Sequence, residues 1–232
     1  MFIPIGDNNS NRRATPVIVP LIIAINIFVW ILQLKRGDAL TNGFSFVPAE
    51  ITRGKDLVGT IRMVVGKEPI SYSLYPSPHP LLLTIFSAMF MHGSWPHLLG
   101  NMVYLWIFGD QIEDRLGKIR FLLFYLGCGV AATAAHYLAD TKSLIPCLGA
   151  SGAIAGILGA YLILYPGNRV TVLVLRFFIQ LPAYIVLGVW FLMQVVGQFG
   201  ANATTETSLV AYAAHLGGFL GGAFGIILFR RS

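Results

Sequence analysis

The sequence predicts an all-α integral membrane protein with six membrane-spanning helices, and three observations lead to this fold class. Hydrophobic residues make up 56% of the 232 residues and charged residues 11%, against roughly 45–50% and about 25% in soluble globular chains. Several uncharged apolar runs reach the length of about 20 residues that a helix needs to cross a bilayer. Lysines and arginines stand between these runs, singly or in pairs, as residues that flank membrane spans do.

The apolar runs give the order of the predicted spans. Polar segments of different lengths separate the runs, and one uncharged stretch, Pro69–Gly109, is too long for one helix and divides at a polar sequence around His92. Its first part, Leu81–Met91, has the length of an interfacial or re-entrant helix, and its second part, to about Gly109, is a span. The other predicted spans are Val17–Leu34, Phe121–Ala139, Ser143–Asn168, Phe177–Thr205 and Thr207–Phe229.

The distribution of basic residues predicts how the chain is oriented. Counting lysines and arginines near the span ends favours a cytoplasmic N-terminus and a cytoplasmic C-terminus. Residues 1–16 then form a short cytoplasmic segment, residues 17–232 form the six-helix membrane domain, and Lys35–Pro78 is a long outer loop. The net charge of +6 is spread between the spans, so the expected partner is the lipid bilayer and no nucleic acid. We expect a plasma or inner membrane of a prokaryote.

This orientation brings polar residues of different spans to one depth. The second, fourth and sixth spans all begin at the outer face, and they carry His97 and Asn101, Ser151, and His215 near those ends. We therefore expect these side chains to converge a few turns below the outer surface.

The run Gly149-Ala-Ser151-Gly152-Ala-Ile-Ala-Gly156 allows two interpretations. Small residues at three- and four-residue spacing let membrane helices approach closely, so the run could serve packing alone. In the second interpretation the glycines clear space around a nucleophilic Ser151 at a helix N-terminus, where backbone N–H groups could stabilise an oxyanion.

His215 is an ionisable residue within a predicted span, which is costly and typical of a functional position. The alternative is a histidine that only hydrogen-bonds a neighbouring helix. Glycines follow it at positions 217, 218, 221 and 222 and make this helix thin enough to lie against the glycines after Ser151. The two side chains could then reach hydrogen-bonding distance, which a serine nucleophile needs in order to lose its proton.

His97 and Asn101 are four residues apart and share a helix face, where both could donate hydrogen bonds to a developing oxyanion. A metal site is the competing interpretation. Against it, His92 and His97 are five residues apart, no carboxylate lies nearby in sequence, and the chain contains no H-E-x-x-H motif. We expect neither a metal nor another cofactor.

Together, in this order, these pieces resemble the rhomboid family of intramembrane serine proteases. The resemblance implies a six-helix bundle in which Ser151 is the nucleophile, His215 is the general base, and His97, Asn101 and the Ser151 N–H form an oxyanion hole, with Gly149 beside them. It also implies that the substrates are single-span membrane proteins. The motifs that carry it are His92-x₄-His97-x₃-Asn101, Gly109…Glu113…Gly117, Gly149-Ala-Ser151-Gly152 and Ala214-His215…Gly218.

Two points stay open from the sequence. Some family members place an aromatic residue four positions after the nucleophile, where it stacks on the histidine; this chain has Ala155 there. The functional alternatives are a rhomboid-like protein that binds membrane proteins without cutting them, and a transporter or channel lined by the histidines. The oligomeric state is not predicted.

Overall fold

The computed structural model describes residues 2–10, 12–65, 68–199 and 206–229, and in these ranges the chain is mostly helical. Two single 3₁₀ turns, Leu81–Leu83 and Ala88–Phe90, flank the short helix α4. The helices are α1 (Ile18–Arg36), α2 (Asp38–Gly43), α3 (Pro48–Arg53), α4 (Thr84–Ser87), α5 (Trp95–Leu116), α6 (Lys118–Ala139), α7 (Ser151–Leu164), α8 (Ala183–Phe199) and α9 (Glu206–Phe229). The strands are β1 (Phe2–Asp7), β2 (Gly59–Val65), β3 (Glu68–Leu74), β4 (Arg169–Val174) and β5 (Phe177–Pro182).

The helices have the composition of membrane helices. Three of them, α1, α6 and the Tyr212–Phe229 part of α9, are long and apolar enough to cross a bilayer by themselves. The exposed side chains of the long helices are largely apolar, as expected for surfaces that face lipid. They include Leu21, Phe28, Leu99, Trp106, Leu123, Leu192, Val196, Phe224 and Leu228. The chain is therefore a multi-pass membrane protein.

The sequence placed the start of the fourth span too early, because the helix begins at Ser151 and not at Ser143. Pro146 lacks a backbone N–H and disfavours helix in the residue before it. Gly149 has φ +120°, which a residue with a side chain rarely adopts. The segment before Ser151 is instead extended, and Cys147 pairs with Phe46 in an isolated antiparallel bridge. At 14 residues α7 is about 21 Å long, against about 33 Å for α6, so Ser151 lies inside the bundle.

The prediction of an all-α chain missed two small sheets. β2 and β3 form an antiparallel hairpin within the segment predicted as the outer loop. β1, β4 and β5 form a second antiparallel sheet in the order β1-β4-β5. The predicted fifth span is wrong in its first six residues, since Phe177–Pro182 pair as β5 with β4 and the helix starts at Ala183. Residues 200–205 at its predicted end lie outside the described residues.

Glycine faces let α7 and α9 approach to backbone contact. A Cβ atom added at Gly218 would meet the carbonyl oxygen of Gly152, and one at Gly222 would meet that of Gly156. An added Cβ at Gly159 would likewise meet the backbone of Phe219. These contacts fix the register of the two helices, so each has little freedom to slide along the other.

The long helices run alternately up and down, so the bundle has two polar ends. We call the end that carries the start of α7, with Ser151, the serine end. The opposite end, where α5 finishes with Asp110 and Glu113, is the carboxylate end. At the carboxylate end, Glu113 accepts hydrogen bonds from the backbone N–H groups of Val17, Ile18 and Val19 at 2.7–2.9 Å. Its partner is thus the first turn of α1, whose N–H groups have no partner within the helix.

Candidate active site

Ser151 and His215 come together between α7 and α9. The Oγ atom of Ser151, the first residue of α7, lies 2.8 Å from Nε2 of His215. His215 is the tenth residue of α9 and so lies about 14 Å along that helix. The glycine contacts between the two helices bring these side chains to the same depth.

Gly149 forms the turn that leads into α7 and lies against the α5 side chains. Its backbone N–H donates to the carbonyl of Ala88 at 2.8 Å, which ties the turn to the 3₁₀ segment before α5. An added Cβ at Gly149 would be 2.7 Å from ring atoms of His97 and 3.7 Å from Nδ2 of Asn101. A side chain at this position would therefore push α5 away from Ser151.

His97 and Asn101 lie on the first turns of α5, which begins after the N-cap residue Ser94. The Ser94 hydroxyl accepts from the backbone N–H of His97 at 3.3 Å, so the helix start is defined by its own cap. Asn101 is buried, and its Nδ2 donates to Nε2 of His92 at 2.9 Å. His92 thereby orients the Asn101 amide, a role that the sequence had not assigned.

His92 is itself held by α1. The side-chain amide of Gln33 makes two hydrogen bonds to its backbone, donating to the carbonyl at 2.9 Å and accepting from the N–H at 3.0 Å. Burial, together with the neighbouring His97 ring, lowers the pKa of His92 to about 4. His92 is therefore neutral at physiological pH, and its Nε2 stays free to accept from Asn101.

The side chains of the site surround an open pocket. A cavity of about 260 Å³ lies between α5 and α8 and is lined by His97, Asn101, Ser151, Trp190 and His215, among others. A smaller cavity of about 50 Å³ adjoins Ser151 on its other side. Its walls are formed mainly by small residues, including Ala88, Gly129, Ala132, Gly149 and Gly152. Ser151 thus lies between a wide cleft and a narrow recess.

Two α8 side chains contact His215, and the sequence prediction missed both. The Nδ1 atom of His215 lies 2.8 Å from Oε1 of Gln194, and because that oxygen only accepts, Nδ1 carries the proton. The Trp190 ring is 6.0 Å from the His215 ring between centroids, tilted by 42°. The sequence offered no pattern that links a glutamine of this apolar run to His215.

Among the described residues, no group of three histidine, cysteine, aspartate or glutamate side chains is placed to hold a metal ion. His136 lies apart from the pocket lining, buried in α6 with its ring 6.2 Å from that of Phe46. The polar groups of the site can thus transfer a proton between Ser151 and His215 and donate hydrogen bonds into the pocket.

Comparison with known proteins identifies the family. A family model described as Rhomboid domain matches residues 80–232. The chain belongs to the rhomboid family. The matched region of this rhomboid contains every side chain of the pocket and the described helices from α4 to α9.

Relatives of this rhomboid occur in mitochondria and in bacteria. The Presenilin-associated rhomboid-like protein, mitochondrial, of Bos taurus is 34% identical over 145 residues, which are 62% of this chain and 36% of that protein. Rhomboid protein 1, mitochondrial, of Saccharomyces cerevisiae is 32% identical over 146 residues, 60% of this chain and 40% of that protein. YdcA of Bacillus subtilis is 36% identical over 78 residues, 34% of this chain and 39% of that protein.

The matches cover about two fifths of each of these relatives or less. Two of the three are mitochondrial by name, so the comparisons do not support the prediction of a prokaryotic plasma membrane. The membrane location itself follows from the helices described above.

Proposed function

We propose that this rhomboid is an intramembrane serine endopeptidase that cuts single-span membrane proteins in or near their membrane segments. The observation that carries the proposal is the 2.8 Å distance between Ser151 Oγ and His215 Nε2 at the edge of an open pocket. Nucleophile and base within hydrogen-bond reach are the signature of an activated serine. The family membership supports the same reaction.

The proposed reaction has two halves. In the first, Nε2 of His215 removes the proton from Ser151 Oγ as the oxygen attacks the scissile carbonyl carbon. The tetrahedral intermediate then expels the amine, which takes that proton from the imidazolium, and an acyl-enzyme remains. In the second half His215 removes a proton from water, which attacks the ester carbonyl. As the ester C–O bond breaks, the imidazolium returns that proton to Ser151 Oγ, which releases the new carboxyl terminus and restores the serine hydroxyl.

The negative oxygen of the tetrahedral intermediate requires donors. We propose the backbone N–H of Ser151 and the side chains of His97 and Asn101. Support comes from their common position on the wide cleft beside Ser151. The amide of Asn101 has two N–H groups and donates one to His92, so the second is free for the substrate.

The recess on the other side of Ser151 suits a small side chain next to the scissile bond. At about 50 Å³ it has room for little more than a methyl or hydroxymethyl group. A helical peptide bond is also shielded by its own hydrogen bonds, so a segment that unwinds easily is the better substrate.

The test uses purified protein in detergent, a fluorophosphonate probe that labels activated serines, and a single-span substrate reconstituted with the enzyme in liposomes. Wild-type protein should be labelled and should cut the substrate at one site, mapped by mass spectrometry. Ser151→Ala and His215→Ala should lose both activities, by about 10⁵-fold or more where residual cleavage is measurable. The matched control is Ser71→Ala, which removes an exposed serine on β3.

The outcomes separate the alternatives. Folded wild-type protein that neither reacts with the probe nor cuts any substrate, but binds single-span proteins, would contradict the proposal in favour of a binding protein. Cleavage retained in both Ser151→Ala and His215→Ala would place the reaction elsewhere in the chain.

A further inference from the structure

We infer that Gln194 of α8 is a positioning residue that holds the His215 ring in the tautomer and orientation that proton transfer from Ser151 requires. The inference rests on the proposed function, because it assigns Gln194 a role in the same reaction. It concerns a side chain that does not itself line the pocket and contacts the lining residue His215 from behind.

The geometry of the contact defines which atom carries each proton. Gln194 is buried, with 9% of its surface exposed, and its Oε1 lies 2.8 Å from Nδ1 of His215. The amide is kept in this orientation because its Nε2 donates to the backbone carbonyl of Trp190, one helical turn earlier, at 3.3 Å. The oxygen therefore faces the histidine.

This arrangement selects one form of the imidazole. With the proton on Nδ1, Nε2 carries the lone pair that faces Ser151 Oγ. The other tautomer would direct an N–H at the serine and leave the Gln194 oxygen buried without a donor, at a cost in free energy. Gln194 also keeps its hydrogen bond when His215 becomes an imidazolium, since Nδ1–H donates in both forms.

No other described contact of the His215 ring can do this. Ala155, four residues after Ser151, is fully buried, and its methyl side chain has no polar atom. Trp190 lies 6.0 Å from the ring between centroids and restricts its tilt, but it has no acceptor to choose between the nitrogens. From α5 the ionisable side chain that interacts electrostatically with His215 is His97, and from α7 the Ser151 hydroxyl faces the His215 ring.

The experiment compares three variants in the purified full-length protein. Gln194→Met keeps the volume and removes the acceptor. Gln194→Glu keeps an acceptor and adds a negative charge. Gln198→Met is the matched control, because Gln198 lies one turn further along the same helix and makes no contact with His215 among the described interactions.

Gln194→Met should lower kcat and the rate of fluorophosphonate labelling by about 10- to 100-fold, by analogy with the loss seen when a metal-ligating histidine loses its orienting hydrogen-bond partner. Its KM should be unchanged, and Gln198→Met should match wild type. Gln194→Glu should recover much of the rate at alkaline pH. The acidic limb of its pH–rate profile should move to higher pH, because a carboxylate stabilises the imidazolium. A residue that only supports packing would not move that limb.

Nitrogen NMR of ¹⁵N-histidine-labelled protein provides a readout that does not depend on catalysis. In wild-type protein the His215 signals should show a proton on Nδ1, and in Gln194→Met they should show a mixture of tautomers. Wild-type kcat in Gln194→Met, or a drop equal to that of Gln198→Met, would overturn the inference. If wild-type protein is inactive, the proposed function fails, while an unchanged Nδ1 tautomer in Gln194→Met would separately refute the role of Gln194.

Discussion

The two polar ends of the helix bundle both contain buried polar side chains but use them differently. At the carboxylate end, Glu113 is 3% exposed and both of its oxygens accept backbone N–H groups from the start of α1. Asp110 is 4% exposed and forms an ion pair with Arg12 at 2.7 Å. These carboxylates hold the N-terminal segment and α1 against α5.

At the serine end the polar side chains border a cavity. Ser151, His97, Asn101 and His215 all line the wide cleft, and their hydrogen bonds run in chains that end at its surface. The buried members of these chains, His92 and Gln194, hold the side chains that reach the cavity. Donors and acceptors are thus left for a molecule that enters.

The difference indicates how to separate structural from functional polar groups in a membrane protein. A buried polar group costs free energy unless it is hydrogen-bonded, so both ends need their partners. At the carboxylate end the partners are backbone N–H groups and the Arg12 side chain, and the result is a fixed connection. At the serine end each chain of hydrogen bonds ends on the wall of the cavity, where we propose that the substrate binds. Substitutions at the two ends should therefore affect different measurements.

The largest effect expected from this comparison belongs to Asn101→Ala at the serine end. Removing one oxyanion donor typically costs about 10²–10³ in kcat. KM should be unchanged, since the ground-state carbonyl gains little from this donor. The measurement is steady-state cleavage of a single-span substrate in liposomes.

Asn26→Ala provides the matched control for Asn101. Asn26 is fully buried in α1, and its amide donates to Ile22 of its own helix at 2.8 Å. The Asn26→Ala variant should be less stable than wild type and should have an unchanged kcat. Equal kcat values in the two variants would remove Asn101 from the proposed oxyanion hole.

A smaller effect, on stability, is expected for Glu113→Ala at the carboxylate end. The variant leaves three N–H groups of the first turn of α1 without their partner, at a cost of about 3 kcal/mol. The free energy of unfolding measured in detergent should fall by this amount, and kcat per folded molecule should stay near the wild-type value. Asp38→Ala, an exposed carboxylate at the start of α2, should change stability by less than about 0.5 kcal/mol. Loss of kcat in folded Glu113→Ala would contradict the separation of the two ends.

The sequence was sufficient to predict the contacts that arise from periodicity. Glycines after Ser151 and after His215 predicted the close approach of α7 and α9, and the backbone contacts at Gly218 and Gly222 agree with it. The long apolar runs predicted α1 and α6 to within a few residues. Both depend on local patterns that a helix imposes on the sequence.

Features that depend on pairing between distant segments were not predictable. β5 is largely apolar, and directly before α8 its residues resemble the start of that helix; only its pairing with β4, which in turn pairs with β1, makes it a strand. Gln194 is a comparable case at the site. Its proposed role depends on His215, 21 residues away, and a glutamine in an apolar helix carries no information about its partner.

The smallest effect concerns Asp7, which joins β1 to the carboxylate end. Its Oδ2 accepts from the Tyr161 hydroxyl at 2.5 Å and from Gln111 Nε2 at 2.6 Å. Burial raises the pKa of Asp7 from 3.8 to about 6; the Tyr161 hydrogen bond opposes this shift, and the nearby charge of Asp110 adds to it. The folded protein therefore binds a proton here more tightly than the unfolded chain does.

A raised pKa in the folded state means that the stabilising contribution of Asp7 is complete below about pH 4 and lost as the pH rises through about 6. The loss should be on the order of 1 kcal/mol after allowance for partial exposure, or about 2–4 °C in Tm. Asp7→Asn cannot ionise, so the difference in Tm between pH 4 and pH 7.5 should shrink by about that amount. Asp38→Asn should keep the wild-type difference. An unchanged Tm difference in Asp7→Asn would mean that another group at the carboxylate end titrates in this pH range. The carboxylates of that end would then be less uniformly paired than the comparison of the two ends requires.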